Sequence, residues 1–468
     1  RESARRVLRT LASDLADASW YSEDWLEQRL TRVVEELDKA ANRWRGLYNS
    51  AKEQAETQHK ISLDPSRPDR DKRSARRLRE EAERQLDLLT DPANVVRGDF
   101  YPYRYFAGEG FLPGYNFPRL PLSAYIPGRR HRGTGSEEYL SRPRFLAISE
   151  FGPRAIIYHE GSRYRINKVI MPAGTVVDGE VGLTRSAKLC PDCGYLHPID
   201  SDANPDVCDR CGEPLTETLS TLFRMENVAT QRRDRISSDE EERLRQGYEI
   251  VTGVRFDEFG SNRKTAEVVD DNVNENVNEN GEPLWTLTYG DAADLWRINL
   301  GWRRRQNRNE LGFWLDVENG YWMSNKADPE DSEEEDPEAA RVKRVIPYVA
   351  DTRNCLIMEP AHPLKIEEMA SLQAALKKAI QVNYQIEDSE LAVEPLPTQD
   401  DRRAILLYEA SEGGAGVLHQ LFDDPGAMRD VARQALRICH FDPDTGDDLR
   451  MAPGAREECE AACYDCLL

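Results

Sequence analysis

The chain has 468 residues, of which 39% are hydrophobic and 32% charged, and its formal net charge is −22 at pH 7. This length allows roughly two to four domains, each with its own core, so the fold does not depend on metal to compensate for small size. No apolar run approaches the roughly 18 residues of a membrane span, and the acidic balance restricts any nucleic-acid contact to local basic surfaces, because DNA affinity comes largely from Lys and Arg at phosphates.

The cysteines and the first residues of the chain bear on its cellular compartment and on whether it is part of a longer protein. Eight cysteines fall into two groups at metal-binding spacing and Cys355 is left over, which is typical of a reducing cytoplasm and not of a secreted disulfide framework. Arg1 stands where Met would begin a chain, and no apolar leader follows it. We therefore expect a cytoplasmic piece of a longer protein, with no membrane partner.

Residues 1–98 are predicted to be a helical region. Ser22 is a suitable N-cap for a long amphipathic helix that extends to about His59, and a second helix is predicted over Arg70–Leu89. The apolar stripe of the first helix comprises Trp25, Leu26, Leu30, Val33, Val34, Leu37, Ala41, Trp44, Leu47 and Tyr48. The pair is interpreted as a helical hairpin, with a partner-binding coiled coil as the alternative.

Residues 99–345 are predicted to form a small, mainly antiparallel β domain. An aromatic and proline-rich segment over 100–128 excludes long helices there. Mobile loops are predicted near 269–281 and 327–339, and a zinc ribbon is inserted at 186–216. Strands are predicted over 144–148, 155–159, 164–171, 175–177, 220–225, 249–255 and 284–289.

Residues 346–468 alternate between strand and helix patterns. We predict a strand over 355–358, a helix over 366–384, strands over 391–393 and 404–408, and helices over 416–422 and 426–439. The overall class is therefore α+β, with an N-terminal helical hairpin, a β domain carrying a zinc ribbon, and a C-terminal α/β zinc-binding domain.

The ribbon contains two copies of the pattern Cys-x-x-Cys-Gly, formed by Cys190, Cys193, Cys208 and Cys211. Each pair forms a tight turn, and two such turns supply four thiolates for tetrahedral zinc. A closed site of this kind leaves no open position for water, so the metal is structural. A redox-active dithiol or an iron–sulfur cluster is the alternative, and His197 is a further possible ligand.

The end of the chain holds a second group, Cys439, Cys459, Cys463 and Cys466. Its spacing is less regular, but three cysteines within eight residues still favour zinc. His440 is an alternative to Cys439 as a ligand, and reduced buried cysteines are the alternative to a metal site. The two groups together predict two structural zinc ions.

Two segments are candidates for nucleic-acid contact. Trp302, Arg303, Arg304, Arg305 and Arg308 form the most basic stretch of the chain, where Arg and aromatic rings suit single strands. Gly413 and Gly414 lie in a strand-to-helix turn of the kind that binds anions. A solvated turn and a plain tight turn are the respective alternatives. The aromatic segment 101–125 is a weaker candidate, since such loops commonly pack as core.

No catalytic residue can be named. The chain contains no phosphate-binding loop of the Walker type, no Gly-x-Ser-x-Gly and no His-Glu-x-x-His pattern. Its seven histidines are scattered. Whether the chain is an enzyme is therefore left open.

Four segments resemble the C-terminal half of large superfamily 2 helicases with an MrfA-type zinc-binding domain. Relatives of this kind include bacterial repair helicases and helicases, or their partners, of the DISARM and Druantia anti-phage systems. The segments are 111–118, 142–153, 408–417 and the terminal Cys459, Cys463 and Cys466.

The resemblance implies that Cys439, Cys459, Cys463 and Cys466 bind the metal, and that DNA, a helicase motor domain and other defence subunits are partners. The family's ATPase motifs are absent, so ATP would act only through a motor outside these residues. The expected function is an accessory region that positions DNA or partner subunits. A protein-interaction scaffold without DNA contact is the alternative, and a nuclease is a third hypothesis.

Overall fold

The computed structural model describes most of the chain, with gaps. The described residues are 2–3, 6–7, 10, 23–90, 103, 105–106, 111–112, 121–127, 138–171, 176–177, 180–181, 184–199, 204–235, 247–256, 263–269, 283–317, 319–323, 342–411, 414–452, 454–455, 458–459, 463 and 466. The predicted loops at 269–281 and 327–339 lie almost wholly outside this set.

The N-terminal helical hairpin is confirmed. Helix α1 spans Glu23–Leu63 and α2 spans Asp69–Thr90. The contact between them is lined by small side chains, since Ala40 and Ala51 on α1 and Ala75 and Ala82 on α2 are buried. Small residues let two helices approach closely.

Part of the predicted apolar stripe on α1 is not buried. Val33, Val34 and Leu37 are 38%, 68% and 40% exposed. Helix α1 has 41 residues and α2 has 22, so an antiparallel α2 reaches only the second half of α1. Tyr105, from the aromatic segment, packs near the middle of α1, where its hydroxyl donates to the Ala40 carbonyl at 2.6 Å. This tyrosine is therefore a packing residue.

Strands dominate the middle of the chain. The remaining elements are β1 Leu122–Ile126, β2 Glu138–Arg142, α3 Arg144–Glu150, β3 Ile156–His159, β4 Ser162–Val169, β5 Val176–Val177, β6 Glu180–Val181, β7 Thr184–Leu189, β8 Leu196–Ile199, β9 Thr218–Arg224, β10 Val228–Arg235, β11 Tyr248–Arg255, β12 Arg263–Val269, β13 Pro283–Trp302, β14 Phe313–Asp316, β15 Val342–Pro360, α4 Ile366–Tyr384, β16 Leu391–Pro397, β17 Arg402–Glu409, α5 Val417–Asp423 and α6 Ala427–Ile438.

The strand predicted over 144–148 is wrong, because these residues form α3. Phe145 and Ile148 are buried at helical spacing, whereas Leu146 is 44% exposed. The Pro143 carbonyl accepts hydrogen bonds from the amides of Leu146 and Ala147, which starts the helical turn. A short apolar run does not by itself distinguish helix from strand.

The first of two compact units comprises Arg1–Ala187, Leu219–Ile250 and Arg297–Ala350. It contains the hairpin and a five-stranded sheet of order β2-β1-β10-β4-β3, in which only the β1–β10 pair is parallel. Strand β14 pairs antiparallel with the first part of β15. The sheet is thus mainly antiparallel, as predicted.

The second unit comprises Lys188–Thr218, Val251–Trp296 and Asp351–Leu468. The second part of β15 pairs antiparallel with β17, which pairs antiparallel with β16. Helices α4, α5 and α6 pack on these strands. Their shared core includes Leu356, Met358, Leu376, Ile380, Leu407, Leu418, Leu421 and Val431. The ribbon at 188–218 belongs to this unit, so both cysteine groups lie in it.

Among the residues that the structure describes, no helix has both the length and the apolar character needed to cross a membrane.

Candidate metal centres

The four ribbon cysteines meet at one point. Their sulfur atoms lie within 4.8 Å of one another. The Sγ atoms of Cys190 and Cys211 are 3.5 Å apart, and those of Cys193 and Cys208 are 3.6 Å apart. These separations are far longer than the S–S bond of about 2.05 Å. Zinc–sulfur bonds of about 2.3 Å place tetrahedral sulfur atoms roughly 3.8 Å apart. The donor set therefore fits a tetrahedral zinc ion.

Both halves of the ribbon adopt the same turn. The Cys190 carbonyl accepts from the Gly194 amide at 3.0 Å, and the Cys208 carbonyl accepts from the Gly212 amide at 2.9 Å. Both glycines are in the left-handed region, with φ of +70° and +82°. Glycine adopts this conformation without a steric penalty. Each copy of the Cys-x-x-Cys-Gly pattern thus forms the same hydrogen-bonded turn, with the glycine in the left-handed conformation.

Two of the four ribbon thiols, Cys190 and Cys193, are made harder to ionise by their surroundings. Burial raises the pKa of the Cys190 thiol to about 11. Burial also raises the pKa of Cys193, and the nearby Cys208 and Cys190 raise it further. Four clustered thiolates are stable only when a positive ion compensates their charge.

Two side chains next to the ligands complete the ribbon site. The Nε2 atom of His197 lies 3.4 Å from the Cys208 sulfur, and the Arg210 amide donates to the same sulfur at 3.4 Å. His197 thus contacts a ligand from outside the four-sulfur cluster. Such outer hydrogen bonds orient metal ligands.

The ribbon is anchored to the strands of its own unit. Arg210, within the second turn, is 4% exposed at its side chain and contacts Glu359 of β15 at 2.5 Å. Asp192, within the first turn, pairs with Arg403 of β17. A Cβ at Gly194 would lie 2.8 Å from Leu396 of β16. Each of the three contacts involves a different strand, so the ribbon is an integral part of this unit.

The second group forms around His440. His440, Cys459, Cys463 and Cys466 offer ligand atoms that all lie within 4.8 Å of one another. The Nε2 atom of His440 is 3.2 Å from the Cys463 sulfur, and the sulfurs of Cys459 and Cys466 are 3.7 Å apart. One imidazole and three thiolates are a common zinc donor set.

The end of α6 brings the His440 ring into this cluster and leaves Cys439 beside it, where burial and then the nearby Cys466 raise the pKa of the Cys439 thiol. Helix α6 ends at Ile438, Cys439 is the C-cap, and His440 follows with φ of +66°. The left-handed residue turns the chain away from the helix. Cys439 packs against the apolar core of the unit. The other predicted ligands are brought together.

A hydrogen bond connects the turn that contains Cys463 and Cys466 to α4. The Lys378 ammonium donates to the Cys466 carbonyl at 2.5 Å, and the Cys463 amide donates to the Cys466 sulfur at 3.0 Å. Desolvation and the neighbouring thiols of Cys466 and Cys463 raise the pKa of Cys459 to about 12. A cation is again required for ionised ligands.

Cys355, the ninth cysteine, is fully buried on β15 and contacts the Arg353 carbonyl through its sulfur at 3.4 Å. It lies outside both groups, as a small core residue would.

The basic stretch forms a turn after β13 in which two predicted DNA contacts have structural partners. Trp302 stacks on Tyr248 with ring centroids 4.9 Å apart. The Arg305 side chain is 9% exposed and pairs with Glu249. Arg303, Arg304 and Arg308 are exposed. Trp302 and Arg305 thus pack against the protein, whereas the other three arginines of the stretch place positive charge at the surface.

The glycine-rich turn already holds an anionic side chain of the protein. Glu409 is 4% exposed, and its carboxylate accepts hydrogen bonds from the Leu418 amide of α5 and the Asn354 amide group. Gly414 lies against this carboxylate, with φ of +66°. Gly413 lies outside the described residues. No sequence pattern predicts Glu409 at this position.

Comparisons with known proteins place the second centre in a family. The sequence model described as the MrfA Zn-binding domain matches residues 372–467. A search of curated proteins finds no match.

Two solved structures are similar in part. A crystal structure titled "DUF1998 helicase MrfA bound to DNA" is 10% identical, with 70% of this chain and 32% of that chain covered and a TM-score of 0.29. A second, of the same helicase bound to DNA and AMPPNP, is 10% identical, with 68% and 28% covered and a TM-score of 0.25. This chain thus spans less than a third of either.

The family match covers His440 and the three cysteines that meet it, as well as Cys439. Residues 372–467 thus match the MrfA Zn-binding domain, and the match includes this candidate centre.

Proposed function

We propose that the chain is an accessory zinc-binding region of a DNA helicase or translocase, and that it positions DNA or partner subunits relative to the motor. The MrfA Zn-binding domain at 372–467 is the observation that carries this proposal. MrfA itself is titled a DUF1998 helicase and is bound to DNA in the solved structures. The motor lies elsewhere in the same protein or on another chain, and ATP acts only there.

The proposal includes two zinc ions per chain. Cys190, Cys193, Cys208 and Cys211 hold the first, and Cys459, Cys463 and Cys466 hold the second with His440. The sequence predicts Cys439 as the fourth ligand of the second ion, with His440 as the alternative. Both sites have four protein ligands, so neither leaves a position for substrate. In this proposal, zinc organises a surface and catalyses nothing.

The test is made in the protein that contains the motor. DNA binding and DNA-stimulated ATP hydrolysis are measured with and without this region, and the expected result is weaker binding and weaker stimulation in its absence. A motor that binds DNA equally well and is stimulated equally would refute the positioning role. Zinc content is measured by elemental analysis, and the expected value is two ions per chain.

A protein-interaction scaffold is the second candidate, because the chain carries 85 acidic and 63 basic residues. Charge reversal of Arg303, Arg304 and Arg308 separates the two candidates. Lost DNA binding with intact assembly supports DNA positioning, whereas lost assembly with unchanged DNA binding supports the scaffold.

We further propose that the setting is anti-phage defence in the cytoplasm, with other defence subunits as partners. What supports this is the resemblance of segments 111–118, 142–153 and 408–417 to large superfamily 2 helicases, whose relatives include anti-phage defence helicases as well as bacterial repair helicases. Phage plating on cells that carry the intact locus is compared with plating on cells that carry Cys463→Ser. Equal plating, with normal amounts of the variant protein, would contradict the defence role.

A further inference from the structure

The sheet of the first unit has one face on which arginines lie beside exposed apolar and aromatic side chains. Strand β4 alternates between buried and partly exposed residues from Ser162 to Val169, which places Arg163 and Arg165 on the same, outward face. Their cross-strand neighbours on β3 are Tyr158 and Ile156. These are 40% and 37% exposed. On this face a partly exposed tyrosine ring therefore lies on the strand position next to an arginine.

Tyr248 links this face to the basic turn after β13. Its hydroxyl donates to the Pro153 carbonyl at 2.9 Å, and its ring stacks on Trp302. Burial raises the pKa of the Tyr248 hydroxyl, and the positive charges of Arg154 and Arg165 offset part of that rise. Arg154 directly follows Pro153 in the chain, so Tyr248 joins the start of this face to the basic turn.

Arg154 is held in an uncommon backbone conformation. Its φ is +66°, which side chains other than glycine rarely adopt. The Arg154 amide donates to the Ile166 carbonyl at 3.1 Å, so pairing with β4 maintains the conformation. Strained residues of this kind persist where the surroundings enforce them, and they cluster at functional positions.

Positive charge is concentrated in the segments that form this face and the basic turn. Segments 154–169 and 297–309 together contain nine Lys and Arg residues and one acidic residue, Glu160, whereas acidic residues outnumber basic ones over the whole chain. A local positive surface on an acidic protein attracts polyanions to one place and repels them elsewhere. The occupant that fits is therefore a polyanion.

We propose that the β3–β4 face and the turn at 303–308 form one continuous site for single-stranded nucleic acid. Arg154, Arg163, Arg165, Arg304 and Arg308 contact phosphates, and Tyr158 stacks on a base. Exposed aromatic rings beside a basic track are the general means by which proteins bind single strands, whose bases are free to stack. This inference rests on the proposed DNA-positioning function and adds the β3–β4 face to it.

The test uses the full chain with zinc bound. Fluorescence anisotropy is measured with a labelled single strand of about 20 nucleotides, which exceeds the span of a typical single-strand site, and with a duplex of the same length, across a range of salt concentrations. The variants are Arg163→Gln/Arg165→Gln and Tyr158→Ala. The control is Arg429→Gln, an exposed arginine on α6. Circular dichroism and zinc content confirm that each variant is folded.

The double variant is expected to reduce the slope of log K against log salt by about 1.4, since each phosphate contact on a single strand contributes about 0.7. Tyr158→Ala is expected to weaken single-strand binding about tenfold. Arg429→Gln should leave both quantities unchanged.

Two outcomes would overturn the inference. If charge reversal of Arg303, Arg304 and Arg308 abolishes binding while Arg163→Gln/Arg165→Gln leaves affinity and slope unchanged, the β3–β4 face is not part of the site, and the proposed function stands. If the wild-type chain binds neither probe, and its removal leaves DNA binding by the motor protein unchanged, the proposed function fails as well.

Discussion

The ion pair between Arg210 and Glu359 is expected to anchor the ribbon to β15. Arg210 is 4% exposed at its side chain, and Glu359 is 37% exposed. The Nε atom of Arg210 has no hydrogen-bond partner among the described residues. The contact of Arg210 Nη2 with Glu359 is therefore important for this buried charge. Glu359→Ala would leave a buried guanidinium without its carboxylate.

The magnitude follows from burial. Breaking a fully buried pair costs about 3–5 kcal/mol. Because more than a third of Glu359 is exposed, solvent screening reduces this figure, and we expect about 2 kcal/mol. This corresponds to roughly a 30-fold change in an opening equilibrium. Glu359→Gln keeps an acceptor oxygen and should cost about half as much.

Native-state hydrogen exchange measured by mass spectrometry reports this change locally. Amides of residues 188–218 should exchange roughly 30-fold faster in the zinc-bound Glu359→Ala protein than in wild type. The matched control is Arg403→Ala, which removes a pair whose arginine is 53% exposed and should cost at most about 1 kcal/mol. If both variants exchange at the wild-type rate, the pair does not anchor the ribbon.

Three further predictions concern the metal centres and the glycine-rich turn. His440→Ala should lower zinc content by one ion per chain and Cys439→Ala should not, as measured by elemental analysis; the opposite result would restore Cys439 as the ligand. Zinc affinity of the ribbon should rise with pH below about 11, because the free Cys190 thiol keeps its proton up to that pH and zinc displaces it; competition titrations at several pH values that show no such rise would contradict this. Gly414→Ala should lower the thermal midpoint more than Gly416→Ala, because a Cβ at Gly414 meets the Glu409 carboxylate whereas one at Gly416 meets nothing within 4 Å; equal shifts would refute the role of that contact.

Local patterns were sufficient to predict much of the C-terminal half. The helix predicted over 366–384 is α4, with the same bounds, because its apolar residues recur at helical spacing and Gln385 ends it in the left-handed conformation. One long strand was harder to delimit. Strand β13 spans Pro283–Trp302, whereas only 284–289 was predicted, since its continuation begins with Gly290 and Asp291, residue types that are depleted in strands.

Sequence spacing alone was sufficient to predict that the four ribbon cysteines meet, because each Cys-x-x-Cys-Gly segment closes its own turn through hydrogen bonds within five residues. The sequence alone also determined that the chain is acidic and lacks recognisable catalytic motifs. Tertiary structure decided the rest. It placed His440 with the terminal cysteines, it filled the glycine-rich turn with Glu409, and it brought Tyr248 into contact with Pro153 and Trp302. Each of these three arrangements joins residues from different elements, and a one-dimensional pattern does not specify such pairings.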